Sequence, residues 1–102
     1  MATVHLLVRP ALRPLGSVLL PNWLAITVGH TVVSWRRLGP QELAHELRHV
    51  RQWEAHGSLG YPLRYLSASV RAALSGKDWY RDNPFEIEAR RAADQARARW
   101  TE

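Results

Sequence analysis

The sequence has no cysteine, one lysine (Lys77), one phenylalanine and one methionine among its 102 residues. Without cysteine there are no disulfides and no thiolate ligands, so any metal must be held by His, Asp or Glu. A membrane-spanning run is missing as well, since such a run takes about 20 mostly apolar residues. The one long stretch free of Asp, Glu, Lys and Arg, from Pro14 to Trp35, is interrupted by Gly16, Ser17, Pro21, Asn22, Gly29 and His30. A secretory signal is not expected, because no basic region follows Met1, and Arg9 and Arg13 break up the apolar residues. These absences predict a soluble, cytoplasmic chain with no membrane partner.

What is there reads as an ordinary globular composition, 46% hydrophobic and 23% charged, and one small domain over residues 1–102 is expected. A domain this short has a thin core, to which a bound metal would add appreciable stability. The net charge is +5, but the basic residues are scattered from Arg9 to Arg99. A nucleic-acid footprint clusters on one face, so no nucleic-acid partner is expected.

The chain divides into strands followed by helices, which predicts an α+β fold. Val4 to Val8, Val18 to Leu20, Leu24 to Val28 and Thr31 to Trp35 read as strands, with Gly29-His30 as a two-residue hairpin turn. Gly39-Pro40 opens a helix that Gly57 closes. A second helix is expected from about Tyr61 to Leu74, stopping near Ser75-Gly76. A third begins after Asn83-Pro84 and runs to about Trp100. The expected architecture is a small N-terminal β-sheet, an active-site helix, a second helix and a C-terminal helix bearing glutamates.

The segment that carries chemistry is His45-Glu46-Leu47-Arg48-His49, an H-E-x-x-H pattern inside the first of these helices. At 100° per residue, His45 and His49 lie about 40° apart and one turn removed, so two imidazoles can converge on one ion. Glu46 projects about 100° from His45, where it can serve as a general base without being a ligand. Leu43, Leu47 and Val50 form an apolar stripe away from the histidines, expected to pack on the core, with Arg48 and Arg51 toward solvent.

A catalytic zinc takes three protein ligands and keeps an open position. His56 lies about 10 Å beyond His49 along an unbroken helix, too far to join them. The third helix offers a nearer source. Ala89, Ala92, Ala93 and Ala96, with Phe85 and Trp100, define a face that can approach another helix, and Glu86 lies closer to that face than Glu88. Glu86 is therefore the preferred third ligand.

With these pieces in place the sequence resembles the gluzincins, zinc metallopeptidases with two histidines on an H-E-x-x-H helix and a glutamate on a later one. It resembles most closely very small, minigluzincin-like members and compact bacterial domains in which H-E-L-x-H-V-x-Q is followed by a Tyr-Pro pair and then N-P-F-E-x-E-A. Here those pieces are His45 to Gln52, Tyr61-Pro62, and Tyr80 to Ala89. The resemblance implies that His45, His49 and Glu86 bind Zn2+ and that Glu46 is the general base. Many gluzincins place an Asp four residues after the ligand glutamate, to hydrogen-bond a zinc histidine, and this chain has Arg90 there. Asp94, Asp82 or a backbone carbonyl is left to take that part.

The functional expectation is a zinc-dependent peptidase acting on a peptide or protein substrate. Tyr80 is favoured as the oxyanion donor over His56, Tyr61 and Tyr65. An exposed strand, Leu24 to Val28 or Thr31 to Trp35, could pair with an extended substrate. The alternative is a catalytically weak, zinc-stabilised binding or adaptor module. Oligomeric state is left open.

Overall fold

A computed structural model describes residues 3–19 and 23–101. Among these the element order is β1 (His5–Val8), α1 (Leu12–Leu19), β2 (Ala25–Val28), β3 (Thr31–Ser34), α2 (Pro40–His56), α3 (Gly60–Leu74) and α4 (Pro84–Thr101). The arrangement is α+β, a three-stranded sheet followed by helices.

The strands lie in the order β1-β3-β2. β2 and β3 pair antiparallel across the Gly29-His30 turn, in which Gly29 has φ +61°, a conformation open to glycine at little cost. β1 runs parallel to β3, which requires a crossover, and α1 lies within it. The expectation of a strand at Val18 to Leu20 is corrected here: residues 18–19 belong to α1, and residue 20 lies outside the described residues. A short apolar run cannot distinguish strand from helix by periodicity. The backbone decides, because the amides of Leu12 and Arg13 donate to the Arg9 and Pro10 carbonyls and start a helical turn. Pro14 is tolerated in that first turn, where amides have no intrahelical partner. Gly16 is required by packing: a Cβ there would lie 2.3 Å from the Trp23 ring, whose Nε1 donates to the Arg13 carbonyl at 3.1 Å.

α2 begins as its sequence indicates. Gly39 is the N-cap and Pro40 the first helical residue, and the Glu42 carboxylate accepts the Gly39 amide at 2.8 Å. Arg36 holds the same carboxylate through both guanidinium nitrogens, at 3.0 and 2.7 Å. Gly57, at φ +82°, ends the helix. α4 begins at a second cap, where the Asn83 side-chain oxygen accepts the Phe85 amide at 2.9 Å. The Asn83 amide group donates to the Tyr65 carbonyl and the Ser69 hydroxyl of α3, so one fully buried side chain aligns α3 with the start of α4.

The core differs from expectation in its polarity. Val32, Val50, Tyr61, Ala72 and Ala89 are buried, but so are Thr27, Glu46, His49, Gln52, Asn83 and Glu86. Leu47, expected in the core, is partly exposed, and the histidine face of α2 is the one packed against α4. Ala89 makes this approach possible because its methyl group lets the two helix backbones come close.

Candidate metal centre

α2 presents His45, Glu46 and His49 on the side that faces β2 and α4, while α4 supplies Glu86 from its first turn. The Nε2 atoms of His45 and His49 lie 3.3 Å apart. Glu86 Oε1 lies 3.3 Å from the first and 3.0 Å from the second. A tetrahedral zinc with bonds of about 2.0–2.1 Å places its ligands roughly 3.3 Å from one another, so these separations are edges of such a tetrahedron.

Hydrogen bonding sharpens the point. Gln52 Nε2 donates to the Phe85 carbonyl at 2.9 Å and to Glu88 Oε1 at 3.3 Å, which orients the amide and directs its oxygen at His49. That oxygen lies 2.8 Å from His49 Nδ1, so Nδ1 is the donor and carries the hydrogen. Neutral His49 therefore turns the lone pair of Nε2 toward His45 Nε2 and the Glu86 carboxylate. A metal ion, or a hydrogen carried by His45 Nε2, reconciles groups converging in this way. The three side chains could hold a metal ion.

The titration behaviour has the same cause. Burial opposes the charged form of His49, yet the hydrogen bond to Glu86 and the charge of Glu86 outweigh it, with help from Gln52 and Glu46, and its pKa is raised. Burial likewise opposes ionisation of Glu86, which is only 4% exposed. With a proton rather than a metal at the cluster, hydrogen bonds from His45, protonated His49 and Tyr65 and the charge of His49 overcome this and hold the carboxyl well below its ordinary range. The Tyr65 hydroxyl donates to Glu86 Oε2 at 2.6 Å, leaving Oε1 for the histidines and a metal. Burial first, then the bond to Glu86, push the Tyr65 hydroxyl far above its ordinary pKa.

Glu46 is buried beside the cluster without being part of it. The Thr27 hydroxyl of β2 donates to its Oε2 at 2.7 Å, fixing one oxygen against the sheet. Tyr80 lies in the loop before α4 and is 42% exposed. Burial, then the charges of Glu86 and Glu46, push its pKa up to about 12.

Several expectations about supporting groups are corrected. Asp82 is occupied by the Asp78 amide, and Asp94 is exposed. Gln52 holds His49 instead, three residues along the same helix. Arg90, standing where the gluzincin pattern has Asp, donates to the Arg81 carbonyl. His56 packs against the rings of Tyr61 and Phe85 and takes no part in the cluster. Tyr61 donates to Gln52 Oε1 at 3.0 Å, so it steadies the orienting amide. Glu88 is exposed and lies 3.9 Å from Arg48.

The proposed strand docking is also narrowed. Thr31 to Ser34 is the central strand, paired on both sides, and offers no edge. β2 is an edge strand, but the carbonyl of Thr27 at its middle already accepts Trp53 Nε1 at 3.2 Å.

Gln52, Thr27 and Tyr65 in its bond to Glu86 were missed as supporting residues. The signal for Gln52 was its i+3 spacing from His49; no sequence signal pointed to Thr27. The chain matches no protein-family model, no curated protein and no solved structure. Among the described residues, no helix is long and apolar enough to cross a membrane.

Proposed function

We propose that this chain is a zinc-dependent peptidase of gluzincin type, with His45, His49 and Glu86 as metal ligands. The observation that carries the reading is the convergence of two imidazole Nε2 atoms and one carboxylate oxygen at separations of 3.0–3.3 Å, with His49 Nδ1 committed elsewhere as a donor. Two histidines and a glutamate are three of the four ligands of a tetrahedral zinc, a donor set suited to catalytic zinc. When bound, zinc supplies Lewis acidity that acidifies water and polarises a carbonyl.

The remaining work falls to side chains of this chain. Glu46 takes a proton from the attacking water and returns it to the leaving amine. Thr27 holds Oε2 of Glu46, so the other oxygen is the one left to accept. Tyr80, protonated at neutral pH, donates to the developing oxyanion. An extended peptide lying along β2 would have to displace the bond between Trp53 and the Thr27 carbonyl.

The alternative, a zinc-stabilised binding or adaptor module, is favoured by the polar character of the core around the cluster, which a metal would hold together. Glu46→Gln separates the two. The peptidase reading expects about one zinc per chain to be retained and peptide cleavage to fall by a factor of roughly 10² or more. Wild-type protein that binds zinc and cleaves nothing in a broad peptide library favours the adaptor reading. Failure of His45→Ala and Glu86→Ala to lower zinc content overturns both.

A further inference from the structure

α3 has two faces with different occupations. Tyr61, Tyr65, Ser69 and Ala72 turn inward, toward the metal cluster and α4. On the outer side Leu59, Leu63, Leu66, Val70 and Leu74 lie within an arc of about 80°, taking 100° per residue. These five side chains are between 49% and 83% exposed. They form a continuous apolar stripe along the whole helix, unlike a scatter of single surface leucines.

Its charge setting is equally one-sided. From residue 55 to residue 77 the sequence contains no Asp or Glu, while Arg64, Arg71 and Lys77 are all exposed. Arg64 and Arg71 flank the stripe on one side, and none of the three cations makes an ion pair among the described residues. The nearest acids after α3, Asp78 and Asp82, accept backbone amides of the following loop, and Asp82 lines one hollow with Arg71 and Lys77.

We propose that the outer face of α3 docks on an anionic phospholipid surface, with the leucine stripe entering the interface and Arg64 and Arg71, along its flank, meeting the headgroups. A helix with an apolar face bordered by Arg and Lys lies in the plane of a membrane, held by buried apolar area and attraction to anionic lipid. This requires no spanning run, and it departs from the expectation of no membrane partner, which rested on the absence of such a run and of a secretory signal. A second copy is a poorer occupant on two counts. Antiparallel two-fold pairing through the stripe would bring Arg64 and Arg71 toward their own equivalents with no acid on α3 to answer them. A stripe about 22 Å long and roughly 10 Å wide is also far short of the ~800 Å² per partner of a stable interface. The inference stands independently of the metal site.

The test is co-sedimentation of the 102-residue chain with phosphatidylcholine vesicles, with and without about one-third phosphatidylglycerol, at roughly 0.1 M salt. Binding to the anionic vesicles is expected to exceed binding to pure phosphatidylcholine by about tenfold or more and to weaken as salt rises. Leu63→Gln with Leu66→Gln should lower it by roughly tenfold with circular dichroism unchanged. Arg64→Gln with Arg71→Gln, which leaves the leucines in place, should lower it and flatten the salt dependence. Equal sedimentation with both vesicle types, or undiminished binding of the leucine pair variant, overturns the proposal. So does a concentration-dependent dimer that the leucine pair variant abolishes, which would assign the stripe to a second copy.

Discussion

A histidine that ligates a metal through one ring nitrogen usually has its other nitrogen held, and here Gln52 does the holding for His49. An amide oxygen is a weaker acceptor than the carboxylate many gluzincins are expected to use, so orientation is supplied without adding charge. Gln52→Ala is expected to weaken zinc binding by roughly 10–100-fold, measured by competition with a chromogenic chelator. Gln52→Glu should recover much of that loss, because it restores an acceptor at the same place. At Glu86 the Tyr65 hydroxyl fixes the second carboxylate oxygen. Tyr65→Phe is expected to lower zinc affinity by about tenfold with little change in fold, since only a buried acceptor loses its partner. The His45, His49 and Glu86 group was legible in the sequence because a helix makes i, i+4 neighbours certain and the alanine face of α4 points Glu86 inward. Gln52, Thr27 and Tyr65 were not, since their partners are chosen by packing between elements.

Helix ends set the geometry of the cluster. Asn83 caps α4 and donates into α3, so it places Glu86 and Tyr65 relative to one another. Asn83→Ala removes the cap and leaves buried acceptors without a donor. It is expected to cost about 2–4 kcal/mol, read from urea unfolding. The start of α2 gives a pH-dependent counterpart. The hydrogen bond from Arg36, opposed by burial and assisted by the Gly39 amide, lowers the Glu42 pKa from 4.5. A carboxyl with a lowered folded pKa contributes stability that is present above its unfolded value and is lost as pH falls through the folded one. Glu42→Gln should therefore be less stable than wild type by about 1 kcal/mol at pH 7, and the two should converge as pH falls below about 4. The hairpin, both caps and the three later helices were readable from Gly, Pro and Asn placements. α1 was not, since three apolar residues between breakers satisfy strand and helix alike.

The molecule as a whole has a small hydrophobic core and an unusual share of buried polar groups, most of them around His49 and Glu86. A ligand that binds only the folded chain stabilises it by mass action, by about 2.7 kcal/mol when free zinc is a hundred times its dissociation constant. For a domain of this length that corresponds to a rise in melting temperature of roughly 10–20 °C. Calorimetry with zinc and then with excess chelator should show the rise and its reversal. Absence of any shift would contradict metal binding at the cluster.

Residues close in sequence and tied by helical geometry were determined by the sequence alone: the histidine pair, the glutamate between them, and the places where helices begin and end. Tertiary structure decided which polar groups face the cluster, which strand lies at the edge of the sheet, and that α3 turns its leucines outward. The physical reason is range. Periodicity and capping are local rules that a chain carries with it wherever it folds, whereas a hydrogen bond between Thr27 and Glu46, or Tyr65 and Glu86, exists only after distant segments have packed.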